Sequence, residues 1–305
     1  MNTRYVIQIV KLARLPIVFA VIPTFLIGTL LAIGQGTVFS LINFLWGFLI
    51  LFIIEIAASF ANDYFDYEAD KHNKQFGFSG GSGVLLSYPQ LLPFAKWTSI
   101  LLFFSAFILT SIFILTLSYP LWGIGYIGIA IFFCWFYTAP PLRLVYRGLG
   151  ELPHLLAGVM FPAWGYFILT GTITLDLLIF AIPFGLLGLT VILNFEIPDR
   201  EADIHGGKHN LIVKKGHLFS FRLIMLLYLI TTLYFLTLTI TSWFHTHLPF
   251  GTITLITSIP LVVSIIPVVK KIIQREQATR YAIHNASSGF LAVFLIMCFL
   301  LISFV

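Results

Sequence analysis

The chemistry open to this chain rests on six carboxylates in two groups of one design, Asp63-x-x-Asp66-x-x-x-Asp70 and Glu196-x-x-Asp199-x-x-x-Asp203. Each group follows a long apolar run, which gathers the acids at a membrane surface, and negative charge pooled beside lipid calls for divalent cations. Magnesium takes hard oxygen ligands and is commonly shared between one or two carboxylates and the phosphates of a substrate. Two such groups on opposing helices, converging on one chamber mouth, would hold Mg2+ against a single diphosphate. Arg143, Arg147 and Lys208 lie in the connections on the same side and complete a clamp on phosphate oxygens, stabilising charge as the diphosphate leaves. An allylic lipid diphosphate would leave a carbocation behind. The chain's 32 Phe, 12 Tyr and 6 Trp can line a dry pocket that stabilises it through ring faces.

The elements that must position these groups follow from composition. Hydrophobic residues make up 59% of the 305 and charged residues 10%, with a mean hydropathy of +1.00, so the chain reads as an all-α polytopic membrane protein. A bilayer core needs about 20 apolar residues per helix. Runs of that kind near 14–34, 40–61, 97–118, 121–138, 153–171, 177–196, 219–241, 250–270 and 286–305 predict nine transmembrane helices, with the first dozen residues along the surface. All 17 Lys and Arg residues, from Arg4 through Lys74 to Arg280, fall at the N-terminus or in alternate connections. None lies near 35–39, 119–120, 172–176 or 242–249. The positive-inside rule then places the N-terminus and the acidic groups in the cytoplasm, and Val305 outside.

The chain reads as one integral membrane domain, 1–305, with a cap on its cytoplasmic side. The acidic groups follow helices two and six, an offset that preserves orientation and makes a parallel repeat, unlike the inverted repeats common in transporters. If helix two continues past the interface, Glu55, Ser59, Asn62, Asp66 and Asp70 share one stripe. Pro198 is expected to end helix six and start a new turn with Asp199 near its beginning. The connections 62–96, which contains SGGSG at 79–83, and 197–218, with Gly206-Gly207, have the length of lids.

The net charge of +5 points to anionic lipid headgroups as partners; no basic stripe interleaved with exposed aromatics points to nucleic acid. Cys134 and Cys298 lie in apolar runs, without the C-x-x-C of a zinc or redox site. The pairs His205/His209 and His245/His247 lack a third ligand at useful spacing and read as solvated loop residues.

Several strings resemble the UbiA family of intramembrane prenyltransferases. NDYFDYEAD at 62–70 and EIPDREAD at 196–203 are similar to its two acidic signatures, and YTAPPLRLVYRGLGE at 137–151 looks like its loop between helices four and five. GGKHNLIVKKG at 206–216 is similar to the basic stretch after the second signature, and Arg14-Leu15-Pro16 to an Arg-Pro element opening helix one. The resemblance implies a nine-helix bundle and magnesium-dependent transfer of a prenyl chain from a polyprenyl diphosphate to an acceptor, often aromatic. The implied steps are ionisation, electrophilic attack on the ring and proton loss.

Carried over, Asn62, Asp63, Asp66 and Asp70 would bind metal and diphosphate from one side, and Glu196, Asp199 and Asp203 from the other. Arg143, Arg147 and Lys208 would bind diphosphate, and Tyr137 and Tyr146 would form the chamber wall near the reacting carbon. SGGSGVL together with 137–151 looks most like the branch that prenylates dihydroxynaphthoate for menaquinone, with loss of the ring carboxylate. Two departures leave homogentisate, hydroxybenzoate or a glycerol-phosphate acceptor open: Ser82-Gly83 stands where that family often has Arg, and His209-Asn210 where it has a basic residue and Thr.

Two readings from other classes compete. A cation-coupled transporter would use the carboxylates for its ion, and would place acids near the bilayer midplane in inverted halves. A non-catalytic scaffold would bind lipid diphosphates without turnover. Glu55, two turns inside helix two, fits either a functional acid or a protonated, hydrogen-bonded lining residue.

Overall fold

The computed structural model describes residues 3–73, 79, 81–241, 248 and 250–304. Lys74, Gly80 of the SGGSG stretch, His245, His247 and Val305 lie outside the described residues. The described chain is helical, without strands. In order come α1 (Thr3–Leu12), α2 (Leu15–Ala20), α3 (Ile22–Gly34), α4 (Leu41–Phe65), α5 (Tyr67–Asp70), α6 (Val84–Ser87) and α7 (Leu92–Thr116). They are followed by α8 (Trp122–Phe136), α9 (Glu151–Thr170), α10 (Leu175–His205), α11 (Leu211–Lys215), α12 (His217–Thr241), α13 (Phe250–Val269) and α14 (Arg275–Phe304). Among the described residues, 7 helices are long and apolar enough to cross a membrane. Two further apolar stretches overlap the expected runs 14–34 and 121–138: the pair Tyr5–Ala20 and Ile22–Gly34, bent by 41°, which makes one more span if taken together, and Trp122–Phe136, a shorter apolar helix.

The chain divides into two compact units: Met1–Ile22, Ser40–Pro153 and Glu201–Asn210 form the first, and Pro23–Phe39, His154–Arg200 and Leu211–Val305 the second. In the first unit α4 is the spine, packed along α7 and against α8. The Ser40 side chain starts it by accepting from the Asn43 amide at 3.4 Å, which satisfies one of the donors a helix leaves open at its first turn. At its far end the register carries on past Phe65. The Asp66 amide bonds Asn62 O at 2.9 Å and the Asp70 amide bonds Asp66 O at 2.8 Å, so Asn62, Asp66 and Asp70 keep the common stripe expected of them. Beneath that stripe Leu12, Ala13, Phe60, Val84, Leu85, Leu91 and Ala95 form a closed apolar cluster. This cluster ties α1, α4, α6 and α7 together and fixes the backbone from which Arg14 and Ser82 project.

The second unit is built on close backbone approach. A Cβ on Gly28 of α3 would run into the Pro162 carbonyl of α9, one on Gly165 of α9 into the Phe25 carbonyl of α3, and one on Gly158 of α9 into the Phe184 carbonyl of α10. Small residues let membrane helices meet at their backbones, where dispersion rather than the hydrophobic effect drives association. Gly158→Ala is therefore expected to destabilise by about 1–3 kcal/mol through overpacking. That outweighs the ~1 kcal/mol alanine ordinarily gains over glycine inside a helix. Thermal melting of the detergent-solubilised protein checks this, and an unchanged or higher midpoint contradicts it.

One expectation is corrected. Pro198 does not end its helix: α10 runs unbroken from Leu175 to His205 with Pro183 and Pro198 inside it. Proline removes one N–H from the ladder, but membrane helices tolerate this where neighbours satisfy the backbone groups. Here the acceptor left without its helical donor is the Asn194 carbonyl, on a stretch where Leu193, Asn194, Glu196 and Ile197 are all buried by packing; Arg275 separately bonds the Pro198 carbonyl, from Nε at 3.3 Å and from Nη2 at 3.2 Å. Glu196, Asp199 and Asp203 consequently lie on one face of one continuous helix.

Candidate functional site

The first unit gathers acids of both groups. Asp66, the residue joining α4 to α5, receives the Tyr146 hydroxyl on Oδ1 at 2.8 Å and the Lys208 ammonium on Oδ2 at 3.0 Å. Lys208 also reaches Asp203 Oδ1 at 3.3 Å, and the Asn210 amide donates to Asp203 Oδ2 at 2.8 Å. One lysine thus bridges a carboxylate from each acidic motif. Asp63, buried on the last turn of α4, pairs through Oδ1 with the Arg14 guanidinium and accepts the Ser82 hydroxyl on Oδ2. The Ser82 amide also donates to Asp63 Oδ2, at 3.2 Å. Asn62 Oδ1 accepts from the Thr138 hydroxyl at 3.2 Å.

The backbone is bent to make this possible. Arg14 has φ 46 and ψ 46, and Arg143 has φ 45 and ψ 59. Both lie in the left-handed region that non-glycine residues seldom adopt and that recurs where function over-determines the chain. Gly81, at φ +80, holds the close approach of the loop to the acids. A Cβ there would lie 2.5 Å from Asp70 Oδ2, 3.0 Å from Arg14 Nη2 and 3.4 Å from Asp63 Oδ1.

The electrostatics follow from this crowding. Burial pushes the Asp70 carboxyl up to about 8, and repulsion from Asp66 and Asp63 adds to the rise while Lys208 and Arg14 counter it. Burial works against the Lys208 ammonium, yet Asp66 and Asp203 outweigh it and hold Lys208 well above its ordinary value, so it stays charged. Burial and the neighbouring Asp66 carboxylate raise Tyr146, which remains a hydroxyl donor.

The other expected residues are placed as follows. The Arg143 guanidinium lies 5.2 Å from the Tyr146 ring centre and Lys208 Nζ 5.9 Å from it, so Tyr146 is flanked by two of the three cations. Arg147 is exposed and donates to the Pro141 carbonyl at 2.9 Å, stapling its own loop. Tyr137 is half-buried at the end of α8, and its carbonyl accepts from the Val145 amide at 3.1 Å. Glu196 and Asp199 belong to the second unit, Glu196 buried and Asp199 half-buried on the shared face of α10.

Sequence reasoning gave no site role to Arg14, Ser82, Asn210 or Thr138, all of which touch motif residues. The signals were present. Arg14 opens the Arg-Leu-Pro element, and Ser82 and Asn210 sit at the two departures from the family pattern.

Whether the cluster suits a divalent ion can be judged from its chemistry. Among the described residues no three His, Cys, Asp or Glu side chains are already gathered into a ligand set. Magnesium, however, needs only one or two carboxylates with phosphate and water. The oxygens of Asp63 and Asp70 both approach the place a Cβ on Gly81 would take, and a cation bound there would offset the burial and the carboxylate repulsion that lift Asp70. The residues fit a hard divalent cation.

A chain of membrane-length apolar helices in which a carboxylate from each of two acidic motifs meets one lysine fits an intramembrane enzyme. The UbiA prenyltransferase family model matches residues 20–288, and the chain belongs to that family. The 1,4-dihydroxy-2-naphthoate octaprenyltransferase of Bacillus subtilis (strain 168) is 30% identical over 194 residues, covering 63% of this chain and 60% of that protein. The match thus spans less than two thirds of the relative's length. Among solved structures, a UbiA homolog from Archaeoglobus fulgidus bound to DMAPP and Mg2+ has a TM-score of 0.64 at 15% identity, covering 94% of this chain and 99% of that one. A digeranylgeranylglyceryl phosphate synthase has a TM-score of 0.67 at 17% identity, covering 97% and 98%. At these identities the likeness is one of fold.

Proposed function

We propose that this protein transfers a prenyl chain from a polyprenyl diphosphate to an aromatic acceptor, 1,4-dihydroxy-2-naphthoate, in the formation of menaquinone, with Mg2+ as its cofactor. The observation that carries the reading is the meeting of Asp66 and Asp203, one from each acidic motif, on the Lys208 ammonium. The activity named for the Bacillus subtilis relative supports the acceptor. The DMAPP and Mg2+ bound to the Archaeoglobus fulgidus homolog support the donor class and the metal.

In this reading Asn62, Asp63, Asp66 and Asp70 hold metal and diphosphate from one side, and Glu196, Asp199 and Asp203 from the other. Bound Mg2+ supplies positive charge that offsets the charge developing on the departing diphosphate. Lys208 and Arg143 add positive charge beside the same oxygens, with Arg147 bonded to its own loop. Tyr146 keeps its hydroxyl on Asp66 and, with Tyr137, would form the chamber wall near the reacting carbon, where a ring face suits a developing allylic cation. We also read the chain as one integral domain of nine spans with parallel acidic repeats and a cytoplasmic cap, its N-terminus and site mouth in the cytoplasm and its C-terminus outside.

The test is incubation of the purified protein with mixed polyprenyl diphosphates, Mg2+ and a panel of aromatic acids, with products identified by mass. The expected product is a prenylated naphthalenediol that has lost its carboxylate. Failure of every donor and acceptor pair would sink the reading, and ion-driven uptake into proteoliposomes without any prenylated product would replace it with transport.

A further inference from the structure

Lys208 does more than add positive charge near the acids. Its Nζ stands 3.0 Å from Asp66 Oδ2 and 3.3 Å from Asp203 Oδ1. The remaining oxygens of both carboxylates are also engaged, Asp66 Oδ1 by the Tyr146 hydroxyl and Asp203 Oδ2 by the Asn210 amide, each at 2.8 Å. A divalent ion that binds this pair must draw on the oxygens that already hold the ammonium, and two cations on one oxygen repel strongly in a partly buried site. The Lys208 side chain is only 14% exposed, so an ammonium driven off those oxygens needs another anion rather than bulk water. The phosphate oxygens of an incoming diphosphate are such an anion.

Resting on the metal and diphosphate reading above, we propose that Lys208 is a displaceable counter-cation that disfavours a bare divalent ion on Asp66 and Asp203, so that metal and diphosphate enter as partners. The lysine is handed from carboxylate to phosphate as the metal arrives. Each ligand raises the affinity for the other, and by the same factor, because binding couplings are reciprocal. A lysine that merely bound diphosphate would leave the affinity for metal alone untouched by its removal. A counter-cation would not.

The experiment titrates Mg2+, first alone and then with inorganic pyrophosphate at matched free concentrations, into full-length protein in detergent, followed calorimetrically. Wild type is compared with Lys208→Gln, with Lys208→Met, which keeps the packing of the stem, and with Lys208→Arg, which keeps the charge. Lys208→Gln and Lys208→Met are expected to bind Mg2+ alone about tenfold more tightly than wild type, within the usual span of coupling factors. They should also gain less from added pyrophosphate, while Lys208→Arg restores weak binding of metal alone. If the neutral variants bind Mg2+ alone no more tightly than a wild type that does bind metal and pyrophosphate together, this inference is overturned and the functional reading stands. If wild type binds no Mg2+ even with pyrophosphate, both fall.

Discussion

Asp66→Ala is expected to lower prenyl transfer by about 10²–10³-fold, the usual cost of deleting a preorganised charge from a site that stabilises a leaving anion. Asp66 is singled out because one carboxylate holds two other candidates in place, the Tyr146 hydroxyl and the Lys208 ammonium. Its loss removes a proposed metal ligand, leaves Lys208 with Asp203 as its remaining close anion and unties Tyr146 from the end of α4. The protein should still fold and insert, since the apolar cluster of Leu12, Phe60, Val84 and Leu85 lies below the site and does not involve Asp66. Asp66→Asn separates charge from shape. It keeps an acceptor for Tyr146 but loses the negative charge, and should be nearly as impaired. Product formation in membranes carrying matched amounts of each variant measures this, and near-wild-type turnover in either would reject the role.

The second large effect is expected from the smallest change possible, Gly81→Ala. At φ +80 an L-residue is strained, by roughly 1–2 kcal/mol, which moves the melting midpoint by only a few degrees in a chain of this size. Activity should fall much further, by about 100-fold, because misplacing catalytic groups by an ångström costs that much. The added methyl has nowhere to go except toward Asp70 Oδ2, Arg14 Nη2 and Asp63 Oδ1. Those three atoms must then spread apart. Measuring the melting midpoint and turnover on one preparation distinguishes a local effect from unfolding. A variant that loses stability and activity in proportion would argue against a cradle at Gly81.

These two positions also mark how far sequence carries. The helices were legible because the length of an apolar run is set by the bilayer, and α4, α12 and α13 begin and end within a few residues of the runs that announced them. Proline was the exception. Pro198 was expected to stop α10, and the helix runs on because one missing N–H is tolerated in a buried, packed membrane helix. The acids of the site were legible for a related reason, since their spacing is helical and therefore local. Their partners were not. Arg14, Ser82 and Asn210 bond motif carboxylates across gaps in the sequence that the periodicity of one helix does not bridge. Two of the three stand where the chain departs from the family pattern, so each departure sits in direct contact with a motif acid.

The left-handed turn at Arg14 ties the amino end of the molecule to its chemistry. The guanidinium paired with Asp63 hangs from the junction of α1 and α2. α1, anchored by Leu12 and Ile9, acts as a tether on that cation. Substitutions that loosen Ile9 or Leu12 from their apolar contacts would therefore slacken the cation that faces Asp63. A change made in the apolar packing of one helix would then be felt as a change of charge balance at an acid several turns of chain away.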